Sequence, residues 1–467
     1  MATSPVDIAR PAAGWLRGDL HFHTNYSDDA LEQSGDWLGQ ALDIADAWRA
    51  IEWTTAHPEL APDDHLQFVA VTDHRTTAGL SDPDFGHDAL VVIGGEEFGS
   101  DGHAGIWGHT THVPHESQAG EDSTMRIGDA IFEAHEQGGL FSINHPLYSG
   151  DLWAWNVEGF DAVEVWNGPW STMGVPSDEA TLDAWLAEKG ITENPWIRAA
   201  VRAEGVPQNA QALRFWQAML SAGHHVAPVG GGDRHMLFPA GLPTTYVLSE
   251  ARTPESVLAG LRGGHTFVSR GPQGPQVLLE ATVGGETFPM GSELPAGGTV
   301  TVSWRVGRAA GGDLRLYAGA VGQGAEPEVV AVVQLQSGDE SGTYTWTPPA
   351  AGGWLHAVVV DPLPSDVPDD RLDVVDALGT FPADGGLEAL LTGLLPMIDV
   401  ELLTHPEWCD PDDWDDWSPA CMPADTEPWS SFYVPPALQA WMSVEFEGGE
   451  PTGYAMGAIS SAFFVGP

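Results

Sequence analysis

Short apolar runs that end in polar residues recur from about residue 15 to 270. The runs are LRGDLHFH, LQFVAVTDH, ALVVIGGEEF, GLFSINHP, FDAVEVWNG and HHVAPVGGGDRH. Segments whose apolar residues have helical spacing lie between several of them, among them IGDAIFEAHEQG and ALRFWQAMLSAG. Strands that alternate with helices predict an α/β fold with a parallel sheet closed as a barrel. In such barrels the chemistry gathers at the carboxyl ends of the strands.

The pattern changes at about residue 275, after the sequence GPQGP. Short alternating runs such as VTVSWRV, DLRLYAGAV and WLHAVVVD follow, divided by Gly, Pro and Asp. This alternation predicts a C-terminal antiparallel β-sandwich, interrupted by an irregular insertion at about 363–435. We therefore divide the chain into a first domain at 15–272 and a β-sandwich domain at 273–467.

The net charge of the chain limits the classes of binding partner that we expect. Lys and Arg total 17 against 67 Asp and Glu, a formal net charge of −50. Such a surface repels polyanions, so we expect neither nucleic acid nor a membrane as a partner. An acidic proteome would give the same charge, so the charge alone does not indicate a function.

The sequence does not decide the cellular compartment of the protein. No apolar run approaches the roughly 18 residues that span a bilayer, and the first residues lack the features of a signal peptide, which predicts a cytoplasmic protein. Against this, Cys409 and Cys421 lie close together in an Asp- and Pro-rich stretch, where a disulfide would indicate export.

Two pairs of metal-ligand residues occupy strand ends. Residues i and i+2 of a strand share a face, so His21 and His23 point the same way, as do Asp233 and His235 in GGGDRH. Further ligand-type residues end other apolar runs: Asp28, His74, Glu97 and His145. Buried ionisable groups are costly unless they are paired or bind metal, and this chain has few cations to pair them. The pattern predicts a metal site.

In order along the chain, these motifs are HxH with a following SD, then TDH, a Gly-Glu strand end, NHP and GxDxH. Their order resembles the polymerase and histidinol phosphatase (PHP) superfamily of metal-dependent hydrolases. The segments DAVEVWNG, GLPTTYVL and LRGGHTFVSRGP resemble its carbaryl-hydrolase-like branch, the CehA/McbA type. The resemblance covers about residues 15–272. It implies a distorted (β/α)7 PHP barrel that holds two or three divalent metal ions (Zn, Mn or Fe).

The resemblance also implies how the ligands are shared. His21, His23 and Asp233 would hold the first ion, and Glu97 would bridge it to a second ion held by His145. Asp28, His74 and His235 would form a third site.

One further ligand is expected on the strand after the bridging glutamate, where His103, His109 and His112 are available. We favour His109, because WGH fits this branch best. For the bridging residue, the register G-x-E favours Glu97 over Glu96.

Groups beside the ligands suggest the substrate. Arg75 and Arg234 stand next to ligands, and a guanidinium binds phosphate or carboxylate in a bidentate fashion. Strand alternation turns Arg234 away from the ligands on either side of it, whereas Arg75 is a candidate catalytic and substrate-binding residue. Asp73 is a candidate to orient a ligand or shuttle a proton.

Aromatic residues also lie near strand ends and predict a pocket wall. They are Trp107, Trp153, Trp155, Trp166 and Trp170. Trp166 and the following Asn167 complete the candidate substrate contacts.

We therefore expect an enzyme that uses metal-activated water to cleave a small-molecule phosphoester, which is an anionic substrate. The alternative is a carboxylic or carbamic ester hydrolase with the same site. A second alternative is a non-catalytic binding protein with a structural metal barrel.

Overall fold

The computed structural model describes most of both parts of the chain. The described residues are 14–27, 64–99, 102–115, 123–148, 157–168, 179–188, 195–200, 208–233, 240–322, 326–363, 443–447 and 450–466, with residues 44, 45, 47, 48, 51, 152, 153, 174, 439 and 440. Several predictions fall outside them: the ligands Asp28 and His235, Arg234, Trp155, Trp170, and nearly all of the insertion with Cys409 and Cys421.

The first part of the chain forms strands β1 to β9. They are β1 (Trp15–Phe22), β2 (Phe68–Val71), β3 (Val91–Phe98), β4 (Ala104–Trp107), β5 (Leu140–Ile143), β6 (Ala162–Asn167), β7 (Ala227–Gly231), β8 (Thr244–Leu248) and β9 (Thr266–Ser269). Helices lie between several of them: α1 (Ser123–Glu136), α2 (Glu179–Glu188), α3 (Pro195–Ala200), α4 (Gln208–Ala222) and α5 (Pro254–Arg262). The alternation that the apolar pattern predicts is therefore present.

Helix α5 illustrates how local sequence sets an element. The side chain of Thr253 caps its N-terminus by accepting a hydrogen bond from the Ser256 N–H at 3.3 Å, and Pro254 opens the first turn. Val257, Leu258 and Leu261 form its buried face, at the spacing of one side of a helix. Among the described helices, none combines the length and apolarity that crossing a bilayer requires.

The direction of the strands differs from the predicted parallel sheet at β4, β8 and β9. Strand β8 is antiparallel to β1, and β9 is antiparallel to β8. The sheet order is β9-β8-β1-β2-β3-β4-β5-β6-β7, and β1 to β3 are parallel, as are β5 to β7. Strand β4 is antiparallel to both of its neighbours, with Glu97 paired to Gly105. The beginning of β4 therefore lies where β3 ends.

The predicted closed barrel is not confirmed, although the sheet curls strongly. The indole of Trp107 on β4 donates to the Leu20 carbonyl on β1 at 3.0 Å, across two intervening strands. No strand pairing joins β7 to β1 within the described ranges. Strand β7 approaches β8 and β1 through side chains instead. Thr245 Oγ1 on β8 accepts from the Gly230 N–H at 2.8 Å, and Asp19 Oδ1 on β1 accepts from the Gly232 N–H at 2.9 Å.

The second part of the chain is built of strands. They are β10 (Gln276–Val283), β11 (Glu286–Pro289), β12 (Glu293–Leu294), β13 (Val300–Gly307), β14 (Asp313–Ala320), β15 (Glu328–Gln334), β16 (Asp339–Trp346), β17 (Gly353–Pro362), β18 (Val444–Glu447), β19 (Glu450–Ser460) and β20 (Phe463–Val465). Strands β11, β10, β13 and β16 form a separate antiparallel sheet, in that order. Its apolar face, with Val302 and Trp304, shares a core with Leu316 of β14 and Val359 of β17.

The remaining strands of the second part continue the sheet of the first part. Strand β19 pairs with β9, with Ala458 opposite Ser269 and Ser460 opposite Phe267. Beside this junction, the guanidinium of Arg270 donates to both carboxylate oxygens of Asp361, at 2.5 and 2.7 Å. The domain boundary at 272 stays a prediction, but one sheet runs across it.

A buried histidine at this junction makes stability depend on pH. His356 is fully buried beside the ring of Tyr317 and accepts a hydrogen bond from Gln217 Nε2 at 3.0 Å, and burial lowers its pKa from 6.5 to about 3. Below pH 6.5 the unfolded chain takes up a proton at this residue that the folded chain takes up only near pH 3. Its contribution to stability is therefore complete above pH 6.5 and is lost as the pH falls towards 3.

We expect the variant His356→Phe to remove this dependence. Between pH 6.5 and 5, its free energy of unfolding should fall by about 1–2 kcal/mol less than that of the wild type, the value of one proton over that interval. Urea unfolding of both proteins at the two pH values measures the difference. Other groups titrate in both proteins and cancel in the comparison, so an equal fall in both would contradict the prediction.

Candidate metal centre

Five histidines meet at one edge of the curled sheet. His21 lies in β1 and His23 follows it, His74 and His145 follow β2 and β5, and His103 precedes β4. Their imidazole rings form a closed circle, in the order His21, His23, His74, His103, His145 and back to His21, with centroid separations of 5.0, 4.6, 5.0, 5.2 and 5.8 Å. We call these residues the five-histidine cluster.

The carboxylate of Glu97, from β3, lies inside the five-histidine cluster. Its Oε1 is 3.1 Å from His21 Nε2, 3.3 Å from His145 Nε2 and 3.5 Å from His103 Nδ1, and its Oε2 is 3.3 Å from both His23 Nε2 and His74 Nδ1. Burial alone would raise the pKa of Glu97, but the imidazoles of His21, His103 and His74 outweigh it and hold this pKa well below its ordinary value. Glu97 is therefore ionised.

A second carboxylate, Asp233, completes the arrangement from the end of β7. Its Oδ1 is 3.4 Å from His21 Nε2 and 3.3 Å from His23 Nε2. Two groups of possible metal ligands result: His21, His23, Glu97 and Asp233 form the first, and His74, Glu97 and His103 form the second. Within each group the ligand atoms lie within 4.8 Å of one another, and Glu97 belongs to both.

The backbone at this edge is strained and closely packed. Arg75, His145 and Asp233 have positive φ values of 53°, 22° and 43°, a region that residues other than glycine seldom occupy and that is enriched at functional sites. A Cβ added at Gly231 would lie 2.2 Å from the Cβ of His21. The glycines of GGGD thus let β7 approach β1, as close backbone packing requires.

Ser27 fixes the orientation of His23. Its Oγ donates to Asp73 Oδ1 at 3.1 Å and accepts from the His74 N–H at 3.0 Å, and it lies 2.9 Å from His23 Nδ1. Since the proton of this hydroxyl is used by Asp73, His23 Nδ1 is the donor to Ser27. The lone pair of a neutral His23 is then on Nε2, towards Glu97 and Asp233.

These atoms fit a divalent metal ion. Within the described part of the chain, the buried His21 Nε2 and Glu97 Oε2 make no hydrogen bond. An imidazole lone pair that faces carboxylate oxygens needs a cation between them, either a proton or a metal. Five protonated imidazoles in one circle would repel one another, whereas one or two divalent ions would satisfy all of them. Mixed imidazole and carboxylate ligands suit zinc, manganese and iron.

The electrostatics of the site also favour cations. Burial lowers the pKa of His21, but Asp233, Glu97 and Glu164 outweigh it and raise this pKa well above its ordinary value. The pKa of His23 is raised to about 9 by Asp233 and Glu97 against the opposing effect of burial. The site therefore attracts positive charge at neutral pH.

The structure brings together most of the predicted ligands that it describes, and these are His21, His23, His74, Glu97, His145 and Asp233. His109 lies elsewhere, because β4 is antiparallel and only its beginning reaches the five-histidine cluster. His109 Nε2 is instead 2.9 Å from Glu96 Oε1, and His112 Nδ1 is 2.5 Å from Glu96 Oε2. His103 takes the position that we expected for His109.

The other predicted residues have structural neighbours that define their places. Asp73 is buried and accepts hydrogen bonds from Thr24 and Ser27, and burial raises its pKa. Arg75 is half-buried, and its guanidinium donates to the Gly99 carbonyl at 3.1 Å. Asn167 is buried and its Nδ2 donates to Glu164 Oε2 at 3.0 Å and to Asp233 Oδ2 at 3.1 Å.

The predicted aromatic pocket is wrong for the tryptophans that the structure describes. Trp107, Trp153 and Trp166 are all buried within hydrophobic cores. The burial of Trp166 also argues against its predicted contact with substrate.

Three residues near the ligands were missed. Asn144 Nδ2 donates to Glu97 Oε1 at 2.9 Å, Ser27 contacts His23, and Glu164 Oε1 lies 3.1 Å from His21 Nδ1. For Glu164 a signal existed, since it is a carboxylate in the middle of the apolar strand AVEVWN.

Comparisons with known proteins add little. No family model and no curated protein matches the chain. One solved structure is similar, that of a two-domain protein containing a predicted PHP-like metal-dependent phosphoesterase from Bacteroides vulgatus ATCC 8482. The identity is 14%, the likeness covers 74% of this chain and 91% of that chain, and the TM-score is 0.32. At this score the likeness does not support an assignment.

Proposed function

We propose that the chain is a PHP-type metal-dependent hydrolase that cleaves a phosphoester of a small molecule. The observation that carries the proposal is the pair of ligand groups that share Glu97. A divalent ion at such a group supplies Lewis acidity and activates water near neutral pH. We assign one ion to His21, His23, Glu97 and Asp233, and a second to His74, His103 and Glu97, with His145 beside Glu97 and Asp233.

The residues differ in their access to solvent. The side chains of His74 and His103 are 8% and 11% exposed, whereas those of His21, His23 and His145 are at most 2% exposed. We propose that substrate approaches on the side of His74 and His103. The ligands of the first group then hold an ion deep in the protein.

Arg75 is the residue that favours an anionic substrate. It follows His74 directly, its N–H donates to the Glu97 carbonyl at 2.9 Å, and its guanidinium is tethered to Gly99. A half-buried guanidinium at the open side of the site is suited to bind a phosphate group. In the competing hydrolysis of a neutral carboxylic or carbamic ester, which the resemblance to the carbaryl-hydrolase-like branch favours, Arg75 has no anion to bind.

Substitution of Arg75 separates the two activities. We expect Arg75→Ala to lower kcat/KM for an aryl phosphate by about 10–100-fold, the cost of losing hydrogen bonds to a charged group, and to leave any hydrolysis of a neutral aryl ester unchanged. Arg252→Ala is the matched control. Arg252 lies between β8 and α5 and also donates to a carbonyl, that of Ala89, which precedes β3 and so lies at the other end of that strand from Glu97. Equal losses on both substrates would count against the phosphoesterase.

Metal content tests the whole proposal. We expect protein purified without chelator to carry more than one equivalent of zinc, manganese or iron by elemental analysis, and His145→Ala to carry less. A wild-type protein that stays empty after metal is added back would overturn the proposal and favour the non-catalytic binding protein.

A further inference from the structure

Glu164 is a buried carboxylate in the middle of β6, with 2% of its surface exposed. Both of its oxygens are used. Oε1 lies 3.1 Å from His21 Nδ1, and Oε2 accepts from the His145 N–H at 2.8 Å and from Asn167 Nδ2 at 3.0 Å. Glu164 belongs to neither ligand group, because the imidazole of His21 stands between it and Glu97.

The contact with His21 determines which ring nitrogen faces the other ligands. A carboxylate only accepts hydrogen bonds, so His21 Nδ1 carries the proton that Glu164 Oε1 receives. In the neutral ring the lone pair is then on Nε2, which lies 3.1 Å from Glu97 Oε1 and 3.4 Å from Asp233 Oδ1. Without an acceptor at Nδ1, the ring could place its proton on Nε2 and would then offer no lone pair to an ion.

The second oxygen of Glu164 connects two further ligands. It holds the backbone of His145, a residue whose φ of 22° needs support from its surroundings. Through Asn167, whose Nδ2 also donates to Asp233 Oδ2 at 3.1 Å, it is linked to the carboxylate at the end of β7. Three ligands from three strands thus depend on one side chain.

We infer that Glu164 is a positioning residue of the metal centre, which fixes the proton of His21 on Nδ1 and holds His145 and Asp233 at the ion. The inference rests on the proposed function, since it requires that the cluster binds metal. Partners of this kind set the orientation and basicity of histidine ligands, and their loss costs about 10–100-fold in metal affinity.

The substitution Glu164→Gln keeps the shape of the side chain and removes one acceptor. If its amide oxygen faces His21, its NH₂ group meets two donors, the His145 N–H and Asn167 Nδ2. If its NH₂ group faces His21, Nδ1 has to accept, and the proton moves to Nε2. Either orientation disturbs a ligand.

The test is a titration of the metal-free full-length chain with Co²⁺, followed by visible absorption and by competition with a chelator. We expect Glu164→Gln to bind Co²⁺ about 10–100-fold more weakly and with an altered absorption spectrum, because a nitrogen ligand is lost or misplaced. The matched control is Asp361→Asn. It also removes a buried carboxylate, one that is paired with Arg270, and we expect it to lower stability and leave the Co²⁺ spectrum unchanged.

A second variant, Asn167→Ala, covers the case in which Glu164→Gln does not fold. It removes only the link to Asp233, and we expect weaker Co²⁺ binding with a smaller change in the spectrum. If the wild type binds Co²⁺ and a folded Glu164→Gln has the same affinity and spectrum, the inference is overturned while the proposed function stands. If only Asn167→Ala folds, its unchanged affinity overturns the inference. A wild type that binds no Co²⁺ overturns the proposed function itself.

Discussion

Replacing Glu97 with glutamine is expected to abolish metal binding at both ligand groups and to lower hydrolysis by at least about 10²–10³-fold, the scale for losing one group that stabilises a transition state electrostatically. Glu97 is the only residue common to the two groups. Glutamine has nearly the same shape, but it is neutral, and its NH₂ group would face imidazole nitrogens that now approach carboxylate oxygens at 3.1–3.5 Å. Elemental analysis after desalting, and a phosphatase assay, measure the effect.

Glu96 provides the matched control for this experiment. It is the adjacent residue of β3, equally buried, and points to the other face of the sheet. There it accepts hydrogen bonds from the Val113 N–H at 2.7 Å and from His109 at 2.9 Å. We expect Glu96→Gln to lower thermal stability and to keep the bound metal. Retention of the full metal content in Glu97→Gln would refute the bridging role.

Replacing His103 with alanine is expected to remove about one equivalent of metal, whereas His109→Ala keeps the wild-type content. His103 Nδ1 is 3.5 Å from Glu97 Oε1 and is one of three ligands in the second group, so its loss leaves two. His109 contacts Glu96 and takes no part in that group. The metal-to-protein ratio of the two variants decides between them, and the reverse result would restore the assignment that the WGH motif suggests.

The candidate ligands that the sequence predicts at strand ends, and that the structure brings together, share one physical feature. His23, His74, His145 and Asp233 all follow parallel strands, and the carboxyl ends of parallel strands meet at one edge. An apolar run that ends in a ligand-type residue is therefore enough to place that residue near the others.

The rule fails for an antiparallel strand, and for this reason the sequence favoured His109 among the three candidates His103, His109 and His112. Strand β4 consists of only AGIW, and its apolar pattern carries no information on direction. If β4 were parallel to its neighbours, a residue after it would lie at the edge where the candidate ligands meet. Because β4 is antiparallel, a residue before it lies at that edge instead. Here the direction is set by pairing with β3 and β5, which the local sequence does not encode.

Glu164 was missed, and Trp166 was predicted to contact substrate, for a related reason. They lie two residues apart in β6, so regular alternation would put both on the same face. The register of β6 against β7 shifts between Glu164 and Trp166, and the sequence pattern does not show this irregularity. The structure places Glu164 against His21 and Trp166 in the hydrophobic core. An aromatic side chain near a strand end is usually buried in a hydrophobic core, and in that position it does not line a pocket.

The pairing of β19 with β9 has a consequence for the synthesis of this protein. When the ribosome has released the first 270 or so residues, β9 has its partner β8 but not its second neighbour, which comes much later in the chain. Until then, the nascent sheet presents an open edge whose unpaired N–H and C=O groups can pair with another chain. The first part of the chain thus has this edge covered only after the later strands have been made, and an excised 15–272 fragment would keep that open edge permanently.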